Sequence, residues 1–317
     1  MSKSKNWNSE DIEKLTALRL DGNTWEQIAS KMDLQSANMA RKAFYRYNRD
    51  DAKPQGQKTG PKILILDIET LPMEAYAWSM WNNNFGLEQI KQHTTILSWS
   101  AKWMGSPENT VMYQDVRNEK DVRNDKPILD TLRSLLEEAD CVLTQNGVRF
   151  DLPKINYRLA FHKFKPYTKP KDIDTLKVAK SVFGFDSNKL EHMTEMFCTK
   201  YKKSKHKKYP GFSLWKGCLN GEIEAFKEME EYNKIDVLSL EELYVDHLMP
   251  WDDTLNFAAY SDEYKFRCNC GNDELVRVKD KVTKKSKFAQ YACTNCGKVH
   301  RDSENLFSKE RRKQLKV

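Results

Sequence analysis

The chain has 317 residues, of which 39% are apolar, 31% charged and 11% aromatic. That length suggests about two domains with room for a third small one, and this aromatic content excludes a largely disordered chain. No run approaches the ~18 consecutive apolar residues of a membrane span, and the opening MSKSKNWNSE lacks the apolar stretch of a secretory leader. No membrane association is therefore expected, and a cytoplasmic, intracellular location is. The net charge is +7, with the basic excess at both ends (residues 1–60 and 261–317) and a slight acidic excess between them. A polyanion would be drawn to the ends. An acidic centre fits carboxylates that hold cations. Of the 7 cysteines, four crowd the C-terminal region, a reduced, metal-binding usage rather than a disulfide framework.

Residues 1–50 read as three helices. Asn8 and Ser9 cap the first, with Ile12, Leu15, Leu18 and Leu20 as its apolar positions, and Asp21-Gly22-Asn23 ends it. Thr24 opens a second, where Trp25, Ile28, Ala29 and Met32 follow helical spacing. The third, SANMARKAFYRYNR, turns Ala40, Phe44 and Tyr47 inward and Arg41, Lys42, Arg46 and Arg49 outward. Such a unit resembles a helix-turn-helix or Myb-like module, which implies that the third helix enters a DNA major groove. The alternative is a small helical bundle with a solvated basic face that docks a protein.

Residues 51–61, rich in Pro and Gly, read as a linker to a central domain at 62–252. KILILDIET starts with the apolar run Ile63 to Leu66, a buried strand, and its period of two puts Asp67 and Glu69 on one face. Two acids there repel each other and lose hydration, and a cation between them resolves both costs. A second apolar strand, Cys141 to Leu143, leads through an Asn-Gly turn to Asp151 at the start of a helix whose first turn accepts Pro153. In the helical stretch 222–248, Tyr232 and Asp236 share a face. Ile223, Phe226, Met229, Leu240 and Leu243 form its core side, which turns Asp236 toward the sheet.

Asp67-x-Glu69, then Asp151, then Tyr232-x-x-x-Asp236 resembles the DEDDy group of 3′–5′ exonucleases, which have a ribonuclease H-like fold and include the proofreading domains of DNA polymerases. Glu231 stands where the sister group has His, so the Tyr variant fits. The resemblance implies an α/β fold: a ribonuclease H-like mixed sheet flanked by helices. It also implies that Asp67, Glu69, Asp151 and Asp236 hold two Mg²⁺ or Mn²⁺ for phosphodiester hydrolysis. Tyr232 would position the attacking water, since a phenol is a poor base at neutral pH. Asn146 and the backbone of Thr70 or Leu71 would neighbour the 3′-terminal nucleotide. Asp174, in KDIDTLKVAK, resembles an Asp-Thr pair common after the second motif, though a structural carboxylate at a strand edge is the simpler reading. The expected activity is release of nucleoside monophosphates from DNA, with single-stranded 3′ ends as substrate. The alternatives are a retired nuclease fold serving as a DNA-binding adaptor or regulator, an RNA exonuclease, and a structure-specific endonuclease.

Residues 94–103 and 110–116 read as an antiparallel pair beside the first strand, and 125–140 and 187–197 as amphipathic helices. In 201–221, Lys202, Lys203, Lys205, Lys207 and Lys208 interleave with Tyr201, Tyr209, Phe212 and Trp215. Lysines meet phosphates and aromatics stack on bases, as a single-strand contact requires. The bland reading is a solvated lysine loop with its aromatics in the core.

After a second connection at 253–265, Cys268-x-Cys270-Gly271 and Cys293-x-x-Cys296-Gly297 read as a zinc ribbon at 266–303. Four soft donors suit one structural Zn²⁺, a glycine after each knuckle eases the turn, and strands lie between. The first knuckle has one intervening residue where two are commoner. His300 is a possible substitute ligand. Cys141, Cys198 and Cys218 read as buried thiols. A basic tail, 304–317, follows. Because no polymerase is legible, proofreading would need a separate polymerase or replication protein as partner, and the lysine-rich arrangement suggests a phage or mobile-element protein of replication or repair.

Overall fold

The computed structural model describes residues 7–20, 23, 25–37, 39, 40, 43, 60–81, 84–202, 208–260 and 266–316. It divides into two compact units, residues 1–58 and 59–317. In the first, α1 (Ser9–Leu20) and α2 (Trp25–Lys31) form as expected. The Asn8 side chain accepts the Asp11 amide N–H at 2.8 Å and so caps α1. Leu15, Ile28, Met32, Ala40 and Ala43 make a small core. Arg41, Lys42, Arg46 and Arg49 lie outside the described residues.

The second unit is built on a five-stranded mixed sheet. Its strands are β1 (Ile63–Leu71), β4 (Thr95–Trp103), β5 (Met112–Asp115), β6 (Cys141–Thr144) and β7 (Lys171–Asp174), in the order β5-β4-β1-β6-β7. β4 pairs antiparallel with β1 and with β5, whereas β6 runs parallel to β1 and β7 parallel to β6. A two-stranded ribbon, β2 (Glu74–Ala75) with β3 (Ile90–Gln92), interrupts the path from β1 to β4. This is a mixed α/β sheet with helices on its faces, as the resemblance implies.

Alternation along β1 feeds two apolar clusters. Leu64, Leu66 and Ile68 join one, and Ile63 and Ile65 the other. The first is closed by α3 (Lys126–Glu138), which buries all five of its expected positions, Ile128, Leu129, Leu132, Leu135 and Leu136. α4 (Asp151–Phe161) and α7 (Ser213–Leu219) complete it. The second receives α5 (Thr175–Val182) and α6 (Leu190–Phe197). The long α8 (Ile223–Glu242) serves both, with Phe226 and Met229 in one and Val237 and Leu240 in the other. Ile223 departs from expectation. It opens the helix, overhangs the packed face and is exposed. Past Glu242 the helix widens into a π-helical stretch, Leu243–Leu248, and Pro250 then stops it.

The expected connector after residue 252 is not a free spacer over its described part, because Leu255 and Phe257 are buried in the second cluster. The cysteine-bearing region packs on the same unit. It forms an antiparallel sheet of β8 (Leu275–Arg277), β9 (Lys281–Val282), β10 (Lys287–Cys293) and β11 (Val299–Asn305), followed by α9 (Lys309–Gln314). Among the described residues, no helix is long and apolar enough to cross a membrane.

A buried charge cluster ties α3 to α4. Asp125, fully buried ahead of α3, accepts from Arg158 Nε at 2.6 Å, from the Ile96 amide at 2.9 Å and lies 2.6 Å from His162 Nε2. Removing one partner strands the others in low dielectric. Asp125→Ala is therefore expected to cost about 3–5 kcal/mol, read by urea unfolding. A loss below about 1 kcal/mol would mean that the cluster is not what holds α4 in place.

Candidate active site

The site is assembled on the central strand. Asp67 and Glu69 are both half-buried on one face of β1, opposite Ser100 and Ser98 of β4. The register shifts between Glu69 and Thr70, the kind of irregularity that re-aims side chains beside a functional site. Thr70 and Leu71 end the strand, with Leu71 wholly buried.

α8 lies across this face and brings Asp236, 2% exposed, to the pair. One carboxylate oxygen from each of Asp67, Glu69 and Asp236 lies within 4.8 Å of the other two. Three acids at such spacing oppose one another unless positive charge sits among them, and their hard oxygens suit Mg²⁺ or Mn²⁺ rather than a soft ion. Asn233, fully buried one turn before Asp236, donates its amide to Asp67 Oδ2 at 2.6 Å and accepts from Ser98 Oγ at 3.2 Å. It therefore fixes the rotamer of the first acid from the element that carries the last. Sequence reading missed it, although its i, i+3 spacing to Asp236 was a usable signal.

Asp151 reaches the site through the turn after β6. Asn146 sits in left-handed backbone at φ 64°, which Asn tolerates. A Cβ on the next residue, Gly147, would collide with the Thr144 side chain. The Asp174 carboxylate accepts from the Asn146 amide at 2.8 Å and from Leu176 N at 3.1 Å. It thus braces the turn and caps α5, a structural role. Asp151 opens α4, is 3% exposed, and accepts the Ile68 amide N–H at 3.2 Å. Burial pushes its carboxyl up to about 7, opposed by the N–H groups of Ile68 and of Asp151 itself and reinforced by the charge of Asp174. A carboxyl so disfavoured as an anion is matched to a nearby cation. Asp151 stands outside the tight trio but lines the same cavity of about 610 Å³ as Asp67, Glu69 and Asp236. Asn146 lines it too, as do Lys180 and Lys189, two cations that sequence reading did not single out.

Tyr232, one turn before Asp236, is buried in the apolar cluster and does not line the cavity. Trp215 packs edge-on against it, ring centroids 6.3 Å apart. Trp215 is thus a packing partner rather than an open stacking surface, and Tyr209 also packs on the core, its hydroxyl donating to Glu222 at 2.9 Å. Lys202 lies 3.4 Å from Glu195, and the backbone N–H of Lys208 donates to Glu228. Lys203, Lys205 and Lys207 fall outside the described residues.

At the far end of α8, one sulfur from each of Cys268, Cys270, Cys293 and Cys296 lies within 4.8 Å of the others. Gly271 (φ 87°) and Gly297 (φ 75°) turn each knuckle in left-handed backbone. Burial opposes ionisation of Cys293, but the Cys296 backbone N–H, the Asn272 amide and the Asn295 N–H outweigh it and lower the thiol to about 6. Four converging soft sulfurs match the donor set of a closed Zn²⁺ site. His300 instead packs edge-on to Phe266. The remaining thiols, Cys141, Cys198 and Cys218, are buried, and burial raises them to about 11, 12 and 12. A second cavity, about 550 Å³, borders Cys270 and Gly271, but its charged groups engage each other, as Lys102 does Glu241 at 2.6 Å.

No curated protein matches the chain. Among solved structures, the family B DNA polymerase from the hyperthermophilic archaeon Pyrobaculum calidifontis is 15% identical with a TM-score of 0.42, over 60% of this chain and 25% of the polymerase. The chain thus matches about a quarter of that protein's length. Residues 64–248 match the model of the RNase H superfamily. That span exceeds half of the chain and contains the whole five-stranded sheet but for its first residue, so the chain belongs to the RNase H superfamily.

Proposed function

We propose that the protein is a metal-dependent 3′–5′ exonuclease that releases nucleoside monophosphates from single-stranded DNA ends. One observation carries this reading: the oxygens of Asp67, Glu69 and Asp236 meet within 4.8 Å in a cavity that Asp151 also lines. These carboxylates would hold two Mg²⁺ or Mn²⁺. When bound, such ions activate water and neutralise charge that develops on the phosphodiester. The chain's own contribution is orientation. Asn233 and the Ile68 N–H fix the oxygens of Asp67 and Asp151, so little reorganisation is left for the reaction. Lys180 and Lys189 meet the strand's phosphates at the cavity wall, and Asn146 contacts the terminal nucleotide. A separate polymerase or replication protein is the proposed partner.

The test is hydrolysis of 3′- and 5′-labelled DNA and RNA oligomers in parallel. DNA should shorten from its 3′ end in Mg²⁺ and yield mononucleotides. Asp67→Ala should reduce the rate by on the order of 10³-fold while leaving the circular dichroism spectrum unchanged. Intact labelled DNA after prolonged incubation with the wild-type protein and Mg²⁺ would sink the reading.

Asn233→Ala separates orientation from ligation. It should lower the rate about 10- to 100-fold and weaken Mg²⁺ dependence, as loss of a group that orients a metal ligand does. An unchanged Mg²⁺ titration would show that Asn233 does not position Asp67.

Cys268, Cys270, Cys293 and Cys296 are proposed to hold one structural Zn²⁺, and elemental analysis should find about one per chain. The ribbon is tied to the sheet unit. Buried Lys298 donates to the Asp252 carbonyl, as does Asn269 at 3.3 Å. Zinc removal should therefore lower the melting temperature of the whole 59–317 unit. Protein purified without zinc would reject the site.

A further inference from the structure

The segment between β1 and β4 leaves large apolar groups in water. Trp78 is 99% exposed, Trp81 78% and Tyr76 68%, with Met80 beside them. Single exposed apolar residues are ordinary, but such a concentration marks an interaction surface. Its root is pinned. β2 pairs with β3, Gln89 Nε2 donates to the Tyr76 carbonyl at 2.9 Å, and the Arg123 guanidinium holds the Pro72 and His93 carbonyls and Glu74. Tyr76 follows Glu69 so closely in the chain that it lies within about 25 Å of the acids. The acidic cavity, about 610 Å³, takes the end of a strand and little more. The rest of a bound strand must run over adjoining surface.

We propose that Trp78 and Trp81 form a stacking platform for the bases of a single strand whose 3′ end occupies the acidic cavity. This rests on the nuclease reading above. An indole as exposed as Trp78 keeps both ring faces open, which suits bases, since every base offers a π-face whatever its identity. The described part of the segment carries Glu74, Glu88 and Lys91, so its attraction is through rings rather than phosphates. Of the four aromatics expected to stack in 201–221, Tyr209 and Trp215 pack on the core, whereas Phe212 is exposed.

The test uses the full chain and two probes. One is a fluorescein-labelled oligothymidylate with uncleavable phosphorothioates at its 3′ end, read by anisotropy. The other is a thymidine dinucleotide, read by hydrolysis. Replacing both tryptophans (Trp78→Ala with Trp81→Ala) should weaken oligomer binding about 10- to 100-fold. The salt dependence should stay at its wild-type slope, because no phosphate contact is lost, and dinucleotide hydrolysis should be unchanged. Phenylalanine at both positions should recover most of the affinity. Unchanged oligomer affinity in a protein that hydrolyses the dinucleotide overturns the platform and leaves the nuclease standing. A wild-type protein that neither binds the oligomer nor cuts the dinucleotide overturns both. A wild-type dimer that the alanine variant dissociates, with oligomer affinity unaltered, would make the patch an interface between copies and overturn the platform.

Discussion

Everything in the central unit is arranged around electrostatic repulsion that the fold brings about. Asp67, Glu69 and Asp236 place oxygens within 4.8 Å of one another. At an effective dielectric of about 20, each such pair costs roughly 3 kcal/mol, less where water reaches it. A sequence under selection for stability alone would place an amide or an apolar residue at one of these positions. The surrounding structure holds the acids in place regardless. β1 is the middle strand, and where it carries the two acids it is held by β4 on one side and, through the Ile68 N–H, by Asp151 on the other. α8 is held by apolar contacts in both clusters, so Asp236 cannot withdraw. Asn233 clasps Asp67 across the gap. Strain of this kind, kept at one spot by a well-packed scaffold, is what a cation-binding site requires before its ion arrives.

The two ends of α8 connect that site to the rest of the unit. Its middle carries Asn233 and Asp236. Its far end passes through a π-helical stretch into Asp252, whose carbonyl receives both Lys298 and Asn269 from the cysteine knuckles. Asp252 Oδ2 also accepts the buried hydroxyl of Tyr244 at 2.8 Å. The ribbon is therefore a buttress on the C-terminal half of the helix that completes the acidic cluster. This differs from a module on a string. The sequence encouraged that picture because Asp253 to Lys265 is polar and short of secondary-structure signals, whereas Leu255 and Phe257 bury themselves and remove the slack.

The acids and the cysteines were legible because their chemistry imposes spacing. Period two on a strand, helical i, i+4, and paired knuckles each leave a pattern that survives without coordinates. The helix at 125–140 was equally plain, since five leucine and isoleucine positions repeat at its period. Less legible were groups whose meaning is tertiary. Asn233, Lys180 and Lys189 look like ordinary polar residues until α8 brings Asn233 to Asp67 and α5 and the cap of α6 bring Lys180 and Lys189 to the cavity. Asp125 reads as the first residue of the helix at 125–140, yet its partners Arg158 and His162 come from α4 and the residue that ends it. The ribbon β2–β3 left no trace in periodicity, being two and three residues long.

The aromatics make the sharpest case. Sequence reasoning assigned stacking to Tyr201, Tyr209, Phe212 and Trp215 because lysines surround them, and read nothing into Tyr76, Trp78 and Trp81, which follow the first acidic motif without a basic run. The fold packs Tyr209 and Trp215 on the core while Phe212 stays exposed. Trp215 walls in Tyr232, while Trp78 stands almost wholly in water. Charge is a poor guide here because it lies on the surface in either case, so a lysine beside a tryptophan says nothing about where the ring goes. What decides the matter is whether a ring has a core to enter. Trp215 lies on α7, which packs on α8. The residues after β1 leave the sheet on a two-stranded ribbon, β2–β3, which among the described residues pairs with neither larger sheet. The rings of Trp78 and Trp81, carried beyond the first strand of that ribbon, therefore stay exposed.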